Sequence, residues 1–234
     1  VQQEELMKAH ITLCVAIVVA AAIMASGMTK IVKQDRSVTV RGLAEREVDA
    51  DLAVWPITFT VGSNDLLRIQ AETVKKTAII TKFLENHGLT SEDYTVQAPK
   101  ITDNTVNPYL DHEKMVFNYL AQETVLVRTS KVSVVKEAQA DSLKLTGEGV
   151  AIQQDYDSKV VYEFTGLNEI KPEMIAEATE NARLAAEQFA RDSKSKVGKI
   201  KKATQGLFSI NDAAVGLEEK KNIRVVTTVE YSLR

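Results

Sequence analysis

The sequence predicts an α+β protein. Two similar halves, each an antiparallel sheet (strand-strand-helix-strand-strand) with a helix on one face, follow an N-terminal transmembrane or signal helix. Three observations predict this. An uncharged, almost wholly apolar run extends from Ile11 to Thr29. Beyond it, segments that alternate with period two are interrupted by segments whose apolar residues recur every three or four. That order then starts over, which reads as an internal duplication. The implied organisation is a tail at 1–10, the apolar segment at 11–29, a linker at 30–36 and a domain at 37–234, with halves of about 37–147 and 148–234.

As a helix, Ile11–Met28 spans roughly 27 Å, close to the hydrocarbon thickness of a bilayer. Its polar residues, Thr12 and Ser26, form no stripe, so an amphipathic core helix does not fit. Ala25-Ser26-Gly27 is a small-residue triplet of the kind signal peptidases cut, but Glu4 and Glu5 against Lys8 favour an uncleaved anchor. Cys14 follows Leu13 near the start of the run, which is the wrong place for a lipid-bearing cysteine. Lys30, Lys33, Arg36 and Arg41 follow the run, and the positive-inside rule then puts the domain in the cytoplasm. A long domain weakens that rule, so charge leaves the side open.

Val38 to Ala44 alternates as a strand, and Ala53, Trp55, Ile57, Phe59 and Val61 alternate as a half-buried one, joined by the polar stretch Glu45–Asp51. Pro56 marks an edge or a bulge. Gly62 to Asp65 reads as a turn and N-cap, with Asp65 in the first helical turn. Leu67, Ala71, Val74, Ala78 and Phe83 or Leu84 then make a helical stripe, which Gly88 ends after His87. Tyr94 to Ala98 is a strand, Thr102 to Lys114 a polar loop, and Phe117 to Thr129 a long strand. Ser130 caps a second helix with Val132, Val135 and Ala138 on one face, ending near Gly147.

In the second half, Val150–Ile152 and Val160–Thr165 are strands. Pro172 falls where a first-turn proline is tolerated. Ile175, Ala178, Ala182, Ala185 and Phe189 form the stripe of a long helix, ended at Gly198 after Lys194 and Lys196. Ile200 to Ile210 is a strand. Ile223, Val225, Thr227, Val229 and Tyr231 alternate in a terminal strand that could pair with Val38–Ala44.

The net charge of −3 lies beyond residue 30, because Lys8 and Lys30 offset Glu4 and Glu5, and it argues against nucleic acid as a partner. Cys14 is the only cysteine, so the domain has no disulfide and no thiol chemistry. His10, His87 and His112 offer no zinc spacing. Asp111-His112-Glu113 could serve as an acid-base or metal cluster, but a solvated loop is the plainer reading. Gly147-Glu148-Gly149 is a helix end and turn rather than a nucleotide loop. The lysines at 194, 196, 199, 201 and 202 could meet anionic head groups or an acidic partner, but also suit a helix end feeding an edge strand. The small face Ala178, Ala182, Ala185, Ala186 and Ala190 suits packing on its own sheet, or, with Leu184 and Phe189, a subunit interface. No catalytic, cofactor-binding or metal residue is assigned, and no cofactor is expected.

Tyr162-Glu-Phe-Thr-Gly-Leu-Asn-Glu-Ile170, Ala176 to Ala190 and Val197-Gly-Lys-Ile200 together resemble the SIMPL-domain family. Val38-Thr-Val-Arg-Gly42 resembles that family's opening strand, Trp55 to Val61 its second strand and Val225 to Leu233 its last. The resemblance covers about residues 37–234, with Asp51-Leu52 standing where the family commonly has Pro-Asp. It implies a secreted or periplasmic bacterial protein behind a signal or anchor, some members being associated with oxidative or envelope stress resistance and one forming a ring-like oligomer. It brings no agreed enzyme activity and no catalytic residues.

The first functional expectation is therefore a non-enzymatic envelope protein. It would be tethered through Ile11–Met28 or secreted, lie in the periplasm and act as a homo-oligomer. A second is a small-ligand binder or enzyme with a site between the halves, near Tyr109, His112 and Tyr119. A third is a cytoplasmic-facing adaptor.

Overall fold

A computed structural model describes residues 15–24, 36–106, 115–155 and 158–234. The first helix, α1, takes residues 15–24, and its apolar side chains are half or more exposed. Among the described residues no helix is long and apolar enough to cross a membrane. Both ends of the expected span Ile11–Met28 lie outside those residues. The mixed α+β class is observed, with two antiparallel sheets, but two compact units divide the chain by interleaving it. One takes the described residues up to Leu43 with Ile175–Gly206 and Val226–Arg234, and the other Ala44–Met174 and Leu207–Val225.

The larger unit is built on β2 (Leu52–Ser63), which pairs antiparallel with β5 (Tyr119–Thr129) over its whole length, from Ala53 opposite Thr129 to Ser63 opposite Tyr119. Trp55, Ile57, Phe59 and Val61 point to one face and are buried there, as their alternation predicts. Burying a side chain of this size contributes roughly 1.5–3 kcal/mol. The strands β3 (Tyr94–Val96) and β4 (Lys100–Asp103) pair with β5, and β6 (Val161–Glu163) pairs with β2. Because β6 covers only Leu52–Val54, Pro56 sits past its end on a local edge, where a missing N–H costs nothing. The core is closed by α2 (Leu66–Asn86), α3 (Val132–Ala140) and α4 (Leu143–Gly147). Gly88 takes a left-handed φ of 88°, with its N–H on Glu85 O and that of Leu89 on Leu84 O, so α2 ends as its glycine predicts.

In the smaller unit, the first part of β1 (Ser37–Asp49), β7 (Val197–Gln205) and the end of β9 (Lys220–Leu233) form a sheet of order β1-β9-β7. In the larger unit β8 (Ser209–Asp212) pairs with the start of β9. The helix α5 (Leu167–Asp192) buries Ala178, Ala182, Ala186 and Ala190. Gly42 explains this ridge: a Cβ there would overlap the carbonyl of Ala178 and the amide of Ala182 and lie 2.9 Å from Ala182 Cβ. Backbone meets backbone at this point, so only small residues fit on either side.

The structure corrects several sequence expectations. Glu45–Asp49 continues β1 rather than forming a loop, and the turn is confined to Ala50-Asp51. Asp51 uses its carboxylate to accept the N–H groups of Thr165 (2.8 Å) and Gly166 (3.0 Å), so α5 starts a turn early and Pro172 lies inside it. Asp65 is the N-cap itself, accepting from Leu67 N at 2.8 Å. The buried face of α2 is Ile69, Thr73, Ile80, Phe83 and Leu84, whereas Leu67 and Val74 are exposed. On α5 Phe189 is exposed, because the small side chains of Ala178 and Ala182, not the largest apolar ones, face Gly42; Met174, in the larger unit, is buried. Lys131, whose side chain makes no capping hydrogen bond, replaces Ser130 as the cap of α3, and the helix breaks at Asp141-Ser142 before α4. Val150–Ile152 makes only a bridge, Ile152 to Phe59. Ile200–Ile210 divides into β7 and β8 around residues 206–208. Gly198 lies within β7, and α5 ends instead at a left-handed Lys194 (φ 54°), with Ser195 N on Ala190 O and Lys194 N on Arg191 O.

Two substitutions test this packing by denaturant unfolding. Gly42→Ala is expected to lose about 3 kcal/mol, since neither backbone neighbour can give way. Lys194→Gly is expected to gain roughly 0.5–1 kcal/mol by relieving the left-handed backbone.

Candidate functional site

A groove of about 420 Å³ runs along the first half of α2 in the larger unit. Leu66, Ile69, Gln70, Thr73 and Val74 of α2 form one wall, and Pro99 and Ile101 the other. Glu123 of β5 lies between them. The alternation of β5 puts Glu123 on the inward face with Ala121 and Val125, opposite Phe59 of β2. Its carboxylate accepts a hydrogen bond from the Thr77 hydroxyl, its one partner among the described residues. Glu123 is 7 % exposed and Thr73 6 %, and the Thr73 hydroxyl has no partner among the described residues. Leu66, Val74 and Ile101 expose about half or more of their surface at the rim.

The groove exists because the sheet is interrupted beside Glu123. Val96 of β3 lies opposite Val125, and Lys100 of β4 opposite Gln122, so four steps on one side face three on the other. The extra residue falls at 97–99, a bulge that carries Pro99 out of the ladder. Thr73 and Glu123 were missed in the sequence. The available signal was Ile69-x3-Thr73-x3-Thr77 leading to Ile80 on a helix face, with a glutamate at an inward position of an alternating strand.

Other polar groups have structural partners. Asp93 accepts from Thr90 N (2.8 Å), Thr129 Oγ1 (2.6 Å) and Lys131 Nζ (2.7 Å). The Lys131 ammonium, followed by the Thr129 hydroxyl and the Thr90 amide, holds that carboxyl well below the usual carboxylate range. Tyr162 is pushed up to about 12, first by burial and then by Glu219 and Glu218. His87 places Nδ1 2.8 Å from Phe83 O and Nε2 3.2 Å from Asp141 Oδ2. The Lys144 ammonium, then His87, lowers Asp141.

Tyr109, His112 and the cluster Asp111-His112-Glu113 lie outside the described residues, as do His10 and Cys14. Tyr119 opens β5 opposite Ser63 and Asp103, on the ladder rather than in the groove. Lys199 and Lys202 are exposed on β7, and Lys201 sits 3.5 Å from Glu230. Gly149, at φ 85°, makes the turn after α4. Among the described residues no three His, Cys, Asp or Glu side chains gather to hold a metal.

The fold is a two-sheet α+β one, in which α2, α3 and α4 close the core of the larger unit, α5 packs its alanine ridge against β1, and a buried acid lies in the groove along α2. A family model described as "SIMPL: Protein of unknown function (DUF541)" matches residues 38–231, and the chain belongs to that family. No curated protein matches the chain.

Asp93 yields a pH-dependent prediction. Its folded pKa is depressed, so the stability it contributes is complete at neutral pH and is lost as pH falls below about 4. Asp93→Asn is expected to lower stability at pH 7 by about 2 kcal/mol. Urea midpoints measured from pH 7 to pH 2.5 should then fall less steeply for the variant than for the parent chain.

Proposed function

We propose that this SIMPL-family chain is a non-enzymatic envelope protein. It is tethered to the inner membrane by Ile11–Met28, or secreted after cleavage there, with its domain in the periplasm, and it works by self-assembly in resistance to oxidative or envelope stress. The observation that carries the assembly reading is the open edge of β7. In the order β1-β9-β7 this strand has a partner on one side only among the described residues, and most of its residues are exposed on both faces. Such a strand is a template for another copy's backbone, and β1, at the other end of that order, offers a second edge with no strand beside it among the described residues. Joining unlike edges is a head-to-tail contact, which closes into a ring when the rotation allows.

The tether rests on the sequence run and on α1, whose large apolar side chains are half or more exposed. The periplasmic side rests on the family resemblance against the positive-inside count. The non-enzymatic reading draws on His87, whose ring nitrogens are both engaged at a helix end. Exposed Leu184 and Phe189 on α5 add apolar surface next to the buried alanine ridge.

Residues 37–234, produced without the N-terminal segment, are expected to form a discrete oligomer by multi-angle light scattering, with mass independent of dilution in the micromolar range. A strictly monomeric particle overturns assembly. Protection of the domain from external protease until cells are lysed overturns the periplasmic placement.

A further inference from the structure

We propose that the groove between α2 and the Pro99 bulge binds a small organic ammonium ion, its charge on Glu123 and its alkyl part on Leu66, Ile69, Val74 and Ile101. This site is independent of assembly and of the membrane tether.

The argument starts from the cost of a buried charge. Glu123 is 7 % exposed on the inward face of β5, beside Phe59. An ionised carboxylate in such a place costs several kcal/mol unless it is paired and hydrogen-bonded. Thr77 supplies one hydroxyl donor, which leaves most of the acceptor capacity of the two oxygens unused. Among the described residues that line the groove there is no Lys, Arg or His. A cation that enters the groove from outside would give this carboxylate the partner that its described surroundings do not supply.

A second observation points the same way. The Thr73 hydroxyl, on the same helix face, has no hydrogen-bond partner among the described residues, and Thr73 lines the groove. An ammonium group carries three donors, enough for both carboxylate oxygens and a hydroxyl. The rest of the lining is mainly apolar, and 420 Å³ lies in the range of small-ligand pockets. The ligand is thus amphipathic: a primary or secondary amine on a short hydrocarbon chain. An anion is repelled by Glu123, and a neutral alcohol leaves its charge uncompensated.

The test is a calorimetric and thermal-shift titration of the full chain with n-butylammonium chloride, with n-butanol and sodium butyrate as controls. Glu123→Gln, which keeps the side-chain size, is run alongside. The expected result is saturable binding of butylammonium with a raised melting temperature, at least tenfold weaker binding of butanol, none of butyrate, and at least a tenfold loss in Glu123→Gln. Absence of saturable butylammonium binding, equal binding of butanol, or undiminished binding by a folded Glu123→Gln overturns the proposal. Should Glu123→Gln fail to fold, the three-probe comparison on the parent chain decides in the same way.

Discussion

Gly42 and the Ala178–Ala182 turn meet backbone to backbone, and much of the smaller unit follows from that contact. With no Cβ at Gly42, α5 can approach β1 until its own main chain is the contact surface. The helix must then present small side chains every four residues, and Ala178, Ala182, Ala186 and Ala190 do so. Larger apolar residues are turned outward, which is why Leu184 and Phe189 are exposed. Asn181 reinforces the approach by donating from its amide to Leu43 O at 2.8 Å. Val40, Val229 and Tyr231 fill the space beside the ridge.

The larger unit is organised by the long β2–β5 ladder, and its departure from a uniform core is local. Along the inward face of β5, Ala121, Val125 and Val127 are what a buried strand requires, and Glu123 is not. The bulge at 97–99 opens the sheet beside that residue, and Thr73 and Thr77 replace apolar side chains on the helix above it. Three independent features, a charge, a strand defect and two hydroxyls, converge within a few residues of one another. Core packing has no use for such a combination, and polar groups placed against stability are where function is to be sought.

The strands were the most legible part of the sequence. Trp55 to Val61 and Ile223 to Tyr231 follow period two, broken only at Val226-Thr227, and each buries the face that the alternation indicates. The pairing of the terminal strand with the opening one was foreseeable as a partnership but not provable, because period two reveals a face and not a neighbour. The helices were legible in extent and less so in orientation. A stripe drawn through Leu67, Ala71 and Val74 puts the wrong side of α2 inward, since the buried side contains a threonine in the place of an apolar residue. The groove was hidden for the same reason. A search for histidines, cysteines and paired carboxylates passes over a single glutamate whose meaning depends on burial.

By itself, then, the sequence determined the α+β class, the family, the two long alternating strands, the glycine-terminated α2 and the apolar run at the N-terminus. These depend on local period, on turn chemistry and on residue order, which are written along the chain. Only the tertiary structure decided which face of each helix is inward, where β1 ends, how the sheets divide the strands, and that Glu123 lies buried with Thr77 as its partner. Those outcomes depend on contacts between residues far apart in the chain. A backbone approach at Gly42 or a one-residue offset beside Glu123 changes them without altering any local pattern.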